Sequence, residues 1–343
     1  MKKKFLYFFQ IFFTILILIP NQSLADSNTI TSDSSTQQDI DGDGEFLTVK
    51  DNSTLATGAT TKAANVTADS VDVTVESGST ISANTVAVFG DNTSDLTVTN
   101  SGTITASGTT AIDVKGTTDA TITNSSGGTI SSNRNTIRIS KTGSNNTTGM
   151  TITNSGTITA TIGSAIFASD GNSAATITNK IGGEITNSDA SNATIRAGAS
   201  STIVNSGTIK NDIDNDAIKL YGNNATITLK DGGIVVGKID GLLRTGSTLK
   251  FNHGVGQGYF YETEGDFTLE DLDGNQVVKG SAGSVGQGGN ENIDELLGYK
   301  SLNIRKSLDK FVKSEGFKNK KTEWQTFQAT SLERKEHTKN LGL

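Results

Sequence analysis

TVTNSGTI, residues 97–104, returns as TITNSGTI at residues 151–158, and variants of this phrase begin at Thr121, Thr176 and Thr202. The asparagines of the five copies are Asn100, Asn124, Asn154, Asn179 and Asn205. They lie 24, 30, 25 and 26 residues apart. Self-similarity at a period of this length is typical of a solenoid, in which each copy makes one turn.

Within each copy Ile or Val alternates with Thr, which is the pattern of a strand with one buried face. We therefore expect the aliphatic residues to point inward and the threonines outward. Asn, Ser and Gly tolerate left-handed backbone angles, so Asn-Ser-Gly predicts a tight corner. A third short apolar segment completes each copy, at residues 111–114, 136–139, 165–168, 194–197 and 217–220.

Three strands and three corners per turn predict an all-β fold, a three-sided parallel β-helix that is right-handed. Stacked side chains of the five asparagines are expected to form an amide ladder along one corner. A β-sandwich is the competing fold, but a sandwich has no reason to repeat the same corner at nearly constant spacing.

The rest of the chain divides by composition. Residues 1–25 read as a secretory signal, with three lysines, an apolar run and a small-residue cleavage site. A retained anchor is the alternative, but the apolar run is short and ends at Pro20. The other predicted segments are a flexible leader with an acidic turn (26–45), the β-helix repeats (46–245), a C-terminal β cap (246–279), a Gly-rich linker (280–290), one amphipathic linker helix (291–316) and a basic tail with a candidate first barrel strand (317–343).

Composition excludes several classes of function. The chain has no cysteine, which rules out thiol catalysis and thiolate metal sites. The net charge is −7, of which Lys2 to Lys4 contribute +3 and residues 300–343 contribute +6, so residues 26–299 carry −16. Such an acidic body argues against binding to nucleic acid, and no motif implies a cofactor.

Asp39, Asp41 and Asp43 alternate before Gly44, like the first half of a calcium-binding loop. A loop of that kind needs a bidentate Glu at its twelfth position, where this chain has Lys50. We therefore favour the interpretation that these residues form an acidic turn that caps the first coil, rather than a metal site.

The outward position of the third strand carries charged or aromatic residues in successive copies of the repeat. Arg there could bind acidic groups of a glycan and aromatic rings could stack on its sugars, although a solvated face is the simpler interpretation. The predicted row is Asp113, Arg138, Phe167, Arg196 and Lys219, with Tyr221 one outward position further on. An insertion at residues 141–149 is a second place to look for contacts, unless it is merely a tolerated loop.

The sequence offers few residues that could form a catalytic site. Parallel β-helices include polysaccharide-cleaving enzymes, whose sites need clustered carboxylates, but Asp113 is the only acid in the predicted row. The two histidines, His253 and His337, do not adjoin a nucleophile motif. We therefore expect a non-enzymatic protein, with a polysaccharide-binding or polysaccharide-cleaving β-helix as the alternative.

The order of signal, NSGTI repeats, aromatic FNHGVG (251–256) and DFTLEDLDG (266–274) segments and linker helix resembles the passenger region of a bacterial autotransporter. This resemblance implies export by the Sec pathway and then by the outer-membrane export machinery. It also implies a cell-surface or extracellular location and adhesion to glycans or other cell surfaces, or self-association. A membrane barrel needs about eight strands, and 22 residues follow Lys321, so the barrel is expected to be truncated or encoded elsewhere.

Overall fold

A computed structural model describes residues 28–58, 61–168, 173–213, 215–278 and 282–284. The predicted signal sequence, the linker helix and the basic tail lie outside the described residues. So does most of the Gly-rich linker. None of the described residues belongs to a helix that is long and apolar enough to cross a membrane.

The described chain winds through three parallel sheets, and most turns add one strand to each sheet. With strands numbered in chain order, sheet A consists of β1 (Asn28–Ile30), β3 (Phe46–Val49), β6 (Asp72–Val75), β9 (Thr97–Asn100), β12 (Thr121–Asn124), β15 (Met150–Asn154), β18 (Ala175–Asn179), β21 (Thr202–Asn205), β24 (Thr226–Lys230), β27 (Thr248–Asn252) and β30 (Thr268–Asp271).

Sheet B forms the second side and is the shortest of the three. It consists of β4 (Thr54–Thr57), β7 (Thr80–Ala83), β10 (Thr103–Ala106), β13 (Thr129–Ser132), β16 (Thr157–Ala160), β19 (Glu184–Asn187), β22 (Thr208–Asn211) and β25 (Ile234–Val236).

Sheet C forms the third side, and its strands come from the third segment of each repeat. It consists of β2 (Gln38–Ile40), β5 (Ala64–Val66), β8 (Val86–Asp91), β11 (Thr110–Lys115), β14 (Ile137–Ser140), β17 (Ile166–Ala168), β20 (Ile195–Ala197), β23 (Asp216–Leu220), β26 (Lys238–Asp240) and β29 (Thr263–Glu264). A separate antiparallel sheet joins β28 (Tyr259–Tyr261), β32 (Ala282–Ser284) and β31 (Val277–Val278).

The predicted three-sided β-helix is confirmed, at about nine turns. Its core is a column of stacked aliphatic side chains, among them Ile104, Ile130 and Ile158 of sheet B, which are fully buried. Their registers are in line from coil to coil, so Ile stacks on Ile. The hand of the coil stays a prediction.

The described part of the predicted leader, residues 28–45, contains two short strands. β1 pairs in parallel with β3, and β2 pairs with β5. The segment has few apolar side chains, but it lies against strands whose backbone groups would otherwise be unpaired, and Ile40 is buried in the core. Edge hydrogen bonds and a buried Ile therefore order a sequence that composition marks as solvated.

The Asn-Ser-Gly corners also differ from expectation. Gly102, Gly156 and Gly207 do not have positive φ. They are glycine because a Cβ would collide with carbonyl oxygens of the preceding coil, such as those of Gly128 and Ser125 below Gly156. Residues with a positive φ recur instead in the corner before sheet A, two positions ahead of the first outward residue of a strand. They are Ser70, Asp95, Asp119, Gly149, Ser200, Asn224 and Gly246.

Beyond Gly246 the coil continues in two of its three sheets, as β27 and β30 in sheet A and β29 in sheet C. The rings of Phe251, His253, Tyr259 and Tyr261 pack together there, with centroids of Phe251 and Tyr259 4.6 Å apart. The His253 Nε2 lies 3.0 Å from the Tyr261 hydroxyl. That this aromatic cluster caps the C-terminal end of the β-helix stays a prediction.

Candidate functional site

The five repeat asparagines lie in the core side of sheet A, where all of them are buried. Each Nδ2 donates a hydrogen bond to the Oδ1 of the next asparagine: Asn100 to Asn124 across 2.8 Å, and Asn124 to Asn154, Asn154 to Asn179 and Asn179 to Asn205 across 2.9 Å. We call this series the Asn ladder. The same amide nitrogens reach carbonyl oxygens of the adjoining corner, as Asn154 does with Gly156 and Glu184.

The Asn ladder has a direction and two apolar ends. Asn100 aligns with Val75 in the preceding coil, and Asn205 aligns with Leu229 in the following one. Val75 has no donor to offer, so the Oδ1 of Asn100 is buried without a partner. The ladder is a structural element of the core and is closed to a ligand.

The outward positions of the predicted row stack along the outer face of sheet C. The register aligns Asp113 with Arg138, Arg138 with Phe167, Phe167 with Arg196 and Arg196 with Lys219. We call the whole outward series the sheet C row. It extends further than the sequence analysis took it, with Asp39, Asn65 and Phe89 before Asp113 and with Asp240 and Glu264 after Lys219.

Asp113 and Arg138 form a closed ion pair. Nε and Nη2 of Arg138 donate to the two carboxylate oxygens of Asp113, across 2.9 and 2.8 Å. The Nζ of Lys115 lies 3.8 Å from the same carboxylate, and Asp113 is only 2% exposed although its position faces outward. The fork of Arg138 is therefore occupied and is not free to hold an external anion.

Arg196 has a different environment. Its guanidinium carbon lies 4.4 Å from the ring centroid of Phe167 and 3.8 Å from that of Tyr221. Among the described residues no carboxylate lies within ion-pair distance of Arg196, and its Nε is buried without a hydrogen-bond partner. Burial lowers its pKa and Tyr221 opposes that shift, but an arginine with ring faces on two sides stays charged at neutral pH.

Lys219 belongs to an ion cluster that the sequence analysis missed. Its Nζ lies 3.0 Å from a carboxylate oxygen of Asp216 and 2.5 Å from one of Asp240. Lys238 joins the cluster through Asp216, across 3.5 Å, and through Glu264. The prediction that Asp113 is the only acid of the row is wrong, because we ended the row at Lys219. Had we continued the repeat spacing to KID (238–240) and ETE (262–264), we would have found Asp240 and Glu264 as further acids of the row.

The protonation of this cluster follows from its contacts. Hydrogen bonds from Lys219 to Asp240 and Asp216 raise the pKa of Lys219. Burial of Asp240 opposes its ionisation, but hydrogen bonds from Lys219 and from the Leu242 N–H outweigh burial, so its pKa lies below the usual value. A shallow polar cleft of about 190 Å³ adjoins the cluster, lined by Asn215, Asp216, Gly237, Lys238 and Glu262.

The three aspartates of the acidic turn do not converge. Asp39 lies in β2 and accepts hydrogen bonds from Gln37 and Asn65. Asp43 accepts a hydrogen bond from the backbone N–H of Asp69, and Asp41 is exposed. Within the described ranges no group of three or more His, Asp or Glu residues is placed to hold a metal ion.

The insertion at residues 141–149 folds back onto earlier coils. Thr142 and Asn145 exchange two backbone hydrogen bonds. The Thr142 hydroxyl donates to Asp91 across 2.7 Å, and the Asn145 amide reaches Asn92. The insertion thus covers the corner between sheets C and A.

Comparison with known proteins adds no relative: no family model, curated protein or solved structure matches the chain. The fold and the arrangement of its surfaces are therefore the basis for the functional argument.

Proposed function

We propose that this chain is the passenger of an autotransporter: a non-enzymatic β-helix, exported through the Sec pathway and the outer-membrane export machinery. It presents a repetitive surface for adhesion or self-association outside the cell. The observation that carries the proposal is the uniformity of the outward positions of sheets A and B. From β9 to β16 every outward residue of these strands is Thr or Ser, a surface of identical units that suits many weak contacts.

The ion pairs of the sheet C row support the non-enzymatic part of the proposal. A polysaccharide-cleaving site needs one carboxylic acid whose pKa is raised, so that it can donate a proton. Asp240 has a lowered pKa and is held by Lys219, and Asp113 is held by Arg138. These carboxylates are already paired with cations, which suits a role in holding successive coils together.

Arg196 supports glycan binding as a second candidate function. Its ring contacts fix the plane of the guanidinium, and no carboxylate of the described chain neutralises it. A fixed fork can bind a planar acidic group with less loss of side-chain entropy than a free one. The acidic body favours a single acidic group on a glycan over a polyanion.

Export is tested on cells that make the protein. A protease is added to intact cells, and the β-helix is followed with an antibody before and after lysis. Exposure predicts loss of the antibody signal from intact cells while a cytoplasmic marker survives. Retention of the whole signal until lysis would reject export.

Adhesion is tested with the purified full chain on polystyrene beads, scored for clumping and for binding to immobilised acidic and neutral glycans. Self-association predicts that coated beads clump and that beads coated with an unrelated acidic protein do not. For glycan binding, Arg196→Ala is expected to remove retention on the acidic glycan. Arg138→Ala is the matched control, and equal loss in both variants would exclude a specific role of Arg196.

A further inference from the structure

The outer face of sheet A bears two adjacent ranks of threonine. The first rank is Thr97, Thr121, Thr151, Thr176, Thr202 and Thr226, and the second is Thr99, Thr123, Thr153, Thr178, Val204 and Thr228. We call these twelve positions the Thr lattice. The register between strands is unshifted throughout, although the coils differ in length.

The Thr lattice is periodic in two directions. Adjacent strands are about 4.8 Å apart, and alternate residues along a strand are about 6.6 Å apart. Threonine is stiff at χ1 because it is β-branched, which restricts the positions that neighbouring hydroxyls and methyl groups can take. Six strands give a face about 24 Å long, on which each threonine offers one methyl group and one hydroxyl.

The hydroxyls of the Thr lattice are free of side-chain hydrogen bonds within the described part of the chain. None of its eleven threonines makes a side-chain hydrogen bond to any residue that the structure describes. Sheet B provides the comparison, because the same coils build it. There Ser131 donates to Thr105 and Thr186 donates to Thr159, and the charged Glu184 and Lys210 interrupt the outward ranks. The unpaired hydroxyls of sheet A are therefore not a general result of stacking coils.

The Thr lattice also lacks charged and aromatic side chains, on a body whose net charge is strongly negative. A polyelectrolyte would find no counter-charge on this face, and a flat crystalline polysaccharide would find no ring to stack on. Water remains as the ligand whose chemistry matches a face of methyl groups and hydroxyls. Methyl groups order their first hydration shell, and hydroxyls at fixed positions hold water through hydrogen bonds. A rigid lattice loses no side-chain entropy in doing so.

We propose that the Thr lattice of sheet A binds ice, through a layer of water that it orders at the spacing of its hydroxyls. This function is independent of export and of glycan binding. It makes sheet A the adhesive face of the β-helix toward a crystalline solid.

The test is partition into ice. A solution of the full chain is frozen slowly from a cold surface, and the protein in the ice is compared with that in the remaining liquid. Thr153→Tyr places a bulky ring in the middle of the Thr lattice. Thr157→Tyr, in the same coil but on sheet B, is the matched control, and circular dichroism verifies that both variants keep the β-helix.

The chain is expected to enter the ice and to change the shape of growing crystals. Thr153→Tyr should lower the partition about tenfold, as loss of a central contact does, and Thr157→Tyr should leave it unchanged. Exclusion of the parent chain from ice, to the extent of an unrelated acidic protein, would overturn the proposal. Equal losses in the two variants would overturn it as well, as would a Thr153→Tyr variant that changes only sedimentation, which would assign this face to self-association.

Discussion

Asn154 donates a hydrogen bond from Nδ2 to Oδ1 of Asn179 across 2.9 Å, while its own Oδ1 accepts one from Asn124. Both neighbours are buried and make the equivalent bonds with their own neighbours. A polar group in the core of a thin solenoid is therefore stabilised by the coils on both sides of it.

Replacing Asn154 with Ala should lower the free energy of unfolding by about 3 kcal/mol, because it leaves buried amide and carbonyl groups without partners on two coils. Urea unfolding followed by circular dichroism measures the change. Ser155→Ala removes an adjacent polar side chain that makes no side-chain hydrogen bond to the described residues, and it should cost less than about 0.5 kcal/mol. Similar losses in the two variants would contradict a stabilising Asn ladder.

Gly156→Ala should destabilise the chain by about 3 kcal/mol or more, since the added Cβ meets carbonyl oxygens of the preceding coil. Gly182→Ala is the control. Gly182 has a φ of 80° and open space around its Cβ position, so alanine there costs only the left-handed strain of about 1 kcal/mol. The midpoint of thermal unfolding should be well below that of Gly182→Ala in the Gly156→Ala variant. The reverse order would mean that backbone strain at the corner costs more than the collision between coils.

The stability of the aromatic cluster should depend on pH through His253. Burial lowers the pKa of His253 below its usual 6.5, although Asp231, Asp271 and Asp273 oppose the shift. The unfolded chain therefore binds the proton first, and the stabilisation present above pH 6.5 is lost as the pH falls through the folded pKa.

We expect the urea midpoint to fall between pH 7.5 and 5, a window above the usual pKa of the carboxylates. His253→Phe should keep the ring packing and flatten this dependence. A slope that is equal in the parent and in His253→Phe would assign the effect to other groups.

Arg138→Ala should cost about 2 kcal/mol, because it removes the cation that hydrogen-bonds the buried carboxylate of Asp113 and leaves Lys115, 3.8 Å away, as a weaker counter-charge. The double variant Asp113→Ala with Arg138→Ala removes the unpaired charge and should be less destabilised than Arg138→Ala alone. Unfolding by urea at two salt concentrations compares them. A double variant that is destabilised as much as Arg138→Ala, or more, would contradict coupling between the pair.

The fold could be predicted from the sequence because one coil is a local unit and the repeat states it five times. Alternating Ile and Thr specifies which side chains enter the core, and the near-constant spacing of Asn100 to Asn205 specifies the stacking. The function of the corner glycines could not be predicted in the same way, because the collision at Gly156 involves atoms of a coil that lies 28 residues earlier. Residue type alone suggested a left-handed angle.

The candidate site was predicted in part. The sequence placed Asp113 and Arg138 in the same row, since the register follows from the repeat. It did not reveal that the two close on each other while Arg196 lies between Phe167 and Tyr221, because side-chain direction decides such contacts. Asp240 and Glu264 were missed because the repeat phrase is no longer recognisable in that part of the sequence, although the strands of sheet C continue there.

The one-way order of the Asn ladder bears on how such a protein can change its length. Every rung presents a donor to the coil after it and an acceptor to the coil before it, so a duplicated turn placed between Asn124 and Asn154 meets the same partners on both sides. A gene that gained or lost one repeat unit would encode a longer or shorter rod without needing a new kind of interface. Rod length, and with it the reach of the outer faces, is open to selection through copy number alone.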